Sequence, residues 1–268
     1  MVTTQWRLQG SSGENIYGNT SMPESNPNGI VLIAHGFKGY KDYGMFPWLS
    51  QQFVDHGHIV HRFNFSHSGM GADGGPFERP DLFERDTWNL QIEDLSILIE
   101  KVRQPDLPII LLGHSRGGVS CLLTAGRGAV QVDGVISLSA PATCNPMTSE
   151  IQQELLSKGW IESPSLRTNQ MLRIGRSFLQ EQLDDPENHD LLKLVSTITT
   201  RVLVIHGEAD LTVSVDSAAA IAEAGQNAIL VRVPEGDHVY NTPNPFPVNG
   251  KPSEQLLTMW TAIQSWLV

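Results

Sequence analysis

Short apolar runs recur along the chain at Ile30–Ala34, Ile59–Phe65, Ile109–Leu112, Val135–Leu138, Val202–Ile205 and Ile229–Val233. The runs at Ile109–Leu112 and Val202–Ile205 are continuous rather than alternating. That is the pattern of parallel strands covered on both faces. Stretches with helical spacing lie between the runs. Asp86 stands where it can cap a helix whose apolar residues Trp88, Ile92, Leu95, Ile99 and Val102 step by three and four. Pro47 suits the first turn of another helix carrying Leu49 and Phe53. Further helices are predicted after Ser115, over Asp216–Ala224 before Gly225, and over Ser253–Leu267. Strand and helix in alternation predict an α/β fold with a doubly wound, mostly parallel sheet. The segments around Trp6 and Tyr17 predict an antiparallel hairpin at one edge.

One interval breaks this rhythm. About sixty residues separate Ala140 from Arg201, whereas a single crossover needs only ~10–12. Glu150–Trp160, Asn169–Leu183 and His189–Val195 each read as helices. The expected organisation is one domain over residues 1–268, with a helical cap over 142–198 inserted at the sheet's C-terminal edge.

Composition narrows the function. The 268 residues are 40% hydrophobic and 18% charged, with 24 glycines and 16 prolines, which fits a globular chain and excludes collagen, coiled coil and disorder. The net charge of −11 argues against nucleic acid or an anionic membrane as partner, since both need a basic footprint. No apolar run approaches the ~20 residues that span a bilayer. The segment Met1–Arg7 has no apolar signal core, so a cytoplasmic location is expected. Cys121 and Cys144 are too few for a disulfide framework and are expected to be free thiols.

Gly113-His114-Ser115-Arg116-Gly117 matches G-x-S-x-G. The pattern alone arises often by chance in a chain rich in glycine and serine, so its context decides. It follows an apolar strand and opens a helix through Gly117 and Gly118, the strand–turn–helix of a nucleophile elbow. The elbow lifts the Ser115 hydroxyl above the sheet edge, with the helix N-terminus beneath the developing negative charge.

Serine needs a base, and nine histidines compete for the role. His238 lies in a loop just after the last predicted strand, at the same sheet edge, and is favoured. His35 ends the first long strand and is read as anchoring its loop; His206 is read as bracing the acid loop, and His114 as pointing away from the serine. The base in turn needs a carboxylate. In His206-Gly207-Glu208-Ala209-Asp210 both acids qualify by position, and Asp210, farther into the loop, is favoured. The order Ser, acid, His along the chain fits. The backbone N–H groups of Phe37 and Arg116 are the candidate oxyanion donors. These groups supply nucleophile, base and electrostatics, so no cofactor or metal is called for.

With these residues the chain resembles an α/β-hydrolase over nearly its whole length. Within that superfamily, His35-Gly36-Phe37-Lys38-Gly39, the stretch His61–Phe65, and the run Gly69–Phe77 leading into Asn89–Asp94 resemble cinnamoyl and feruloyl esterases. One departure stands out: the glycine-rich loop after the fourth strand usually begins Arg-Gly-His-Gly and here reads Ser66-His67-Ser68-Gly69. The resemblance implies a serine carboxylic-ester hydrolase working through an acyl-enzyme on small to medium esters, hydroxycinnamoyl esters among them. Two other readings are kept: a serine peptidase or acyltransferase on the same triad, and a non-catalytic binding protein on a hydrolase scaffold.

Several signals are read blandly. Gly69–Gly74 matches a dinucleotide fingerprint, but Gly75-Pro76 and Pro80 prevent a helix from opening there, so it is read as a loop rimming the site. His58 and His61 fall on opposite faces of a strand and cannot converge on a metal. Arg167, Thr168 and Gln170 either reach substrate or hold the cap down, and Trp160 and Met171 are candidates for an acyl pocket or for core.

Overall fold

The structure, a computed structural model, describes residues 2–268. Ten strands form in chain order: β1 (Val2–Gln9), β2 (Asn15–Met22), β3 (Gly29–Ala34), β4 (His58–Asn64), β5 (Ile109–His114), β6 (Gly134–Leu138), β7 (Trp160–Ser165), β8 (Gln170–Gly175), β9 (Arg201–Gly207) and β10 (Ala228–Val233). The helices are α1 (Phe46–Asp55), α2 (Pro80–Arg85), α3 (Trp88–Val102), α4 (Arg116–Arg127), α5 (Ser149–Lys158), α6 (Ser177–Asp184), α7 (Leu191–Ser196), α8 (Val215–Ala224) and α9 (Glu254–Leu267). Eight strands make one sheet in the order β1-β2-β4-β3-β5-β6-β9-β10. From β4 to β10 all neighbours run parallel, and β2 pairs antiparallel with both β1 and β4, the edge hairpin the sequence predicts. The α/β-hydrolase fold is thereby present.

The central strands β3, β4, β5 and β6 are buried along their whole length; β3 and β5 accordingly run apolar without alternation, while β4 buries the polar His58, His61, Arg62 and Asn64. One sheet face packs on α1 and α9 through Leu49, Phe53, Trp260 and Ile263; the other packs on α3, α4, α7 and α8 through Leu95, Ile99, Leu122, Val195 and Ile221. Among the described residues, no helix is long and apolar enough to cross a membrane.

Two expectations need correction. Asp86 does not cap α3: the Thr87 side chain accepts from Leu90 N–H at 3.4 Å, while the Asp86 carboxylate turns inward to Gln91 Nε2 at 2.7 Å and the Arg116 guanidinium at 3.1 Å. A buried cation outcompetes a helix amide for the carboxylate. The inserted segment is also not wholly helical. α5 ends at Gly159, in the left-handed region at φ 89°, and β7 and β8 then pair Trp160↔Gly175 through Ser165↔Gln170. In β7 the buried positions Ser163 and Ser165 are two apart, the period of a strand, and in β8 Leu172 and Gly175 are buried. Of the segment's helices, α7 belongs to the body: Leu191, Leu194 and Val195 join the core beside α4.

Candidate active site

Ser115 sits between β5 and α4 with φ 54° and ψ −121°, a conformation that side chains seldom adopt. Its neighbours permit it. A Cβ on Gly113 would stand 2.2 Å from Gly117 O, and one on Gly117 would stand 2.4 Å from Ala34 O. Only glycine lets α4 start this close to the ends of β5 and β3. The Ser115 amide donates to Leu138 O at 2.8 Å, tying the turn to β6.

His238 and Asp210 arrive on the loops after β10 and β9. His238 Nδ1 meets Asp210 Oδ2 at 2.8 Å. The other carboxylate oxygen accepts from Thr212 N–H at 2.8 Å and Val213 N–H at 2.9 Å, and His206 Nε2 lies 3.1 Å from Oδ2. Burial works against the Asp210 charge, but hydrogen bonds from His206, His238 and Val213 N–H hold its carboxyl far below the usual carboxylate range. Glu208, the other acid of this loop, is exposed. Ser115 and His238 line the same cavity, so all three sequence-chosen residues gather at one sheet edge.

Three further histidines, His206, His114 and His35, support this frame. His206 Nε2 also reaches Val213 O at 2.9 Å, clamping the acid loop. His114 Nε2 reaches His238 O at 2.8 Å, and burial pushes its ring down to about 3. His35 Nδ1 faces Gly36 O at 2.9 Å and its Nε2 accepts from Phe65 N–H at 3.3 Å; burial pushes it down to about 4, so a neutral ring fastens the end of β3 to that of β4. Phe37 and Arg116 line a cavity with Ser115, and neither backbone amide donates to a backbone carbonyl among the described residues.

Two cavities meet at Ser115. The smaller, about 190 Å³, is lined by His238, Lys38, Tyr43, Ser165, Leu166 and Arg167 among others. The larger, about 450 Å³, runs the other way between Phe37, Trp88, Met147, Ile174 and Phe178. At its inner end the Arg116 guanidinium lies 4.8 to 5.6 Å from the ring centres of Phe178, Trp88 and Phe37, and 3.1 Å from Asp86. Burial pushes Asp86 up to about 7 in spite of that cation.

The β7–β8 hairpin covers the smaller cavity and is fastened to the body. Lys38 Nζ donates to Pro164 O at 2.7 Å, and Arg167 Nη1 donates to Gly74 O and Gly75 O, both at 3.0 Å. Gln170 receives Phe77 N–H at 2.8 Å and donates back to Phe77 O at 2.9 Å. Behind it, Glu181 of α6 accepts from Trp88 N–H at 2.7 Å at the start of α3. Of the three polar cap candidates, Arg167 thus both lines the site and holds the hairpin; Gln170 holds it, and Thr168 bonds Ser165 within it at 3.0 Å. Trp160 and Met171 lie outside both cavities; Met171 is 58% exposed, and Trp160 packs under Lys158 and Arg173. Trp88, which the sequence places only in a helix's apolar spacing, and Phe178, which it does not single out, supply the walls instead.

Residues 25–194 match the family model described as "Serine aminopeptidase, S33". The chain belongs to that family of α/β-hydrolases. Phospholipase YtpA of Bacillus subtilis is 24% identical over 213 residues, covering 79% of this chain and 76% of that protein. A monoacylglycerol lipase of Mycolicibacterium smegmatis is 28% identical over 142 residues, 50% of this chain and 45% of that protein, so this alignment spans less than half of that lipase. Among solved α/β-hydrolases, Est1E of Butyrivibrio proteoclasticus, solved with ferulic acid bound, superposes with a TM-score of 0.72 at 19% identity over 98% of both chains. A solved structure from Agrobacterium vitis S4 gives 0.76 at 19% identity over 100% of both chains. At this identity the two structures establish the shared α/β-hydrolase fold.

Proposed function

We propose that this α/β-hydrolase is a serine carboxylic-ester hydrolase for small to medium esters, hydroxycinnamoyl esters among them, with Ser115, His238 and Asp210 as its triad. The observation that carries the reading is the 2.8 Å bond between His238 Nδ1 and Asp210 Oδ2 in a base that shares a cavity with Ser115. Asp210 holds the proton on Nδ1, which leaves Nε2 free to take the hydroxyl proton of Ser115. The serine oxygen attacks the ester carbonyl, and the Phe37 and Arg116 amides receive the oxyanion, each worth about 3 kcal/mol in comparable sites. His238 then gives its proton to the departing alcohol, leaving an acyl-serine. Water deprotonated by His238 attacks the acyl carbonyl; the acid leaves and the proton returns to Ser115.

The leaving oxygen must depart beside His238, so the smaller cavity takes the alcohol part and the larger, apolar one takes the acyl part. The aromatic walls of the latter suit a flat or extended acyl chain. The family description names an aminopeptidase, which must receive a free ammonium, and among the described residues neither cavity has an aspartate or glutamate in its lining. That favours esters over amino-terminal peptides. The test is hydrolysis of p-nitrophenyl butyrate and methyl ferulate by the wild type and by Ser115→Ala. Turnover of either ester, lost by about 10⁴-fold in the variant, supports the reading. Equal rates for the two proteins would remove Ser115 from the mechanism.

A further inference from the structure

The chain carries a net charge of −11, yet every Lys, Arg, Asp or Glu lining the two cavities at Ser115 is a cation: Lys38, Arg116 and Arg167. Arg116 has Asp86 as its partner. Lys38 and Arg167 have none: neither joins an ion pair among the described residues. Their hydrogen bonds go to neutral acceptors, Pro164 O for Lys38 and Gly74 O, Gly75 O and Met70 Sδ for Arg167. Arg167 Nε is buried with no partner, and its guanidinium lies 4.6 Å from the Tyr40 ring centre and 5.4 Å from that of Phe77. Burial lowers the pKa of both cations, and no carboxylate offsets it. The neighbouring Asp237 accepts from Val239 N–H at 2.9 Å and Asn241 N–H at 2.7 Å within its own turn and pairs with neither cation.

Both cations belong to the cavity on the His238 side, where the alcohol departs. They come from opposite directions, Lys38 from the loop after β3 and Arg167 from the tip of the hairpin. Two partly desolvated cations without a counter-ion are unfavourable unless something fills that need. We propose that this cavity receives an anionic group, a carboxylate or a phosphate, carried by the alcohol part of the ester. The inference rests on the ester-hydrolase reading and names its substrate class. The bound anion sits between Lys38 and Arg167 and places the ester oxygen beside His238, while the acyl chain lies along Trp88 and Phe178.

Four butyrate esters that differ only in the alcohol test this: glyceryl monobutyrate, 1-butyryl-glycerol 3-phosphate, O-butyryl lactate and butyrylcholine. The wild type should prefer one or both anionic esters over glyceryl monobutyrate by about tenfold or more in kcat/KM, with butyrylcholine last. The phosphate-to-lactate ratio tells which anion is meant. Lys38→Gln and Arg167→Gln should each lower the anionic-to-neutral ratio at least fivefold. Arg167→Lys, which keeps the charge but loses the planar guanidinium, should retain most of it. Raising the salt to 0.5 M should shrink the wild-type ratio through screening, an effect a purely structural role would not give. Equal rates on neutral and anionic esters, or a ratio unmoved in both glutamine variants, overturns the anion site while leaving ester hydrolysis standing. A protein that cleaves none of these esters, nor p-nitrophenyl butyrate, overturns both.

Discussion

Replacing Asp210 by asparagine isolates what the buried carboxylate does. The side chain has no exposed surface, so it cannot touch substrate, and the change alters shape by almost nothing. The Thr212 and Val213 amides, at 2.8 and 2.9 Å from Oδ1, demand an acceptor there and fix which way the new amide turns. Its carbonyl faces them, and its NH₂ takes the place of Oδ2, facing His238 Nδ1. Two donors cannot share one bond, so His238 moves its proton to Nε2, the atom that must accept from Ser115. A base in the wrong tautomer costs about 10⁴-fold in kcat, or about 5.5 kcal/mol at about 1.36 kcal/mol per decade. The assay is steady-state hydrolysis of p-nitrophenyl butyrate, with KM expected within about threefold of wild type. Glu208→Gln, in the same loop but exposed, serves as control and should stay within about twofold in kcat. A loss under about thirtyfold for Asp210→Asn would refute the tautomer argument, and a comparable loss for Glu208→Gln would reassign the acid.

Other consequences follow from the same geometry. Gly113→Ala sets a methyl 2.2 Å from Gly117 O; soluble expression or thermal unfolding should show a variant that fails to fold or melts more than about 10 °C lower. Asp94 is raised to about 6, mainly by burial, although Ser11 N–H and Ser66 N–H both donate to it at 2.7 Å. Because its folded pKa lies above the usual 3.8, the folded state holds a proton that the unfolded chain releases, and this contribution to stability declines as pH rises from about 4 through 6. The stability of Asp94→Asn relative to wild type should therefore improve over that range in denaturant titrations, and an unchanging or widening deficit would count against the burial argument. Glu181→Ala removes the acceptor for Trp88 N–H, and limited proteolysis should cut the β7–β8 region several times faster than in wild type.

Much of this was legible because the signals were local. Ile109–Leu112 is apolar on both faces since it lies mid-sheet, and the glycines around Ser115 announce the turn they permit. Asp210 and His238 could be named because each follows a recognisable strand. What stayed hidden depends on distant partners. Asp86 looks like a helix cap until Arg116, thirty residues on, claims its carboxylate. The hairpin carries serines and Pro164 where a strand usually carries branched apolar residues, so its short alternation is a weaker signal than the helical spacing on either side of it. Trp88 and Phe178 show ordinary helical spacing, and only the meeting of α3 with α6 turns them into cavity walls. Lys38 and Arg167 lie far apart in sequence, and no local pattern pairs them.

The backbone of Ser115 sets stability against activity. At φ 54° and ψ −121° a side-chain-bearing residue stores strain of about 1–3 kcal/mol, held by the surrounding sheet and helix. Glycine would relieve it, so the substitution that abolishes the proposed nucleophile should also raise the melting temperature of the fold. Selection for a more stable chain alone would remove this serine. A serine in this strained turn therefore costs the fold stability that only a role for its hydroxyl would offset.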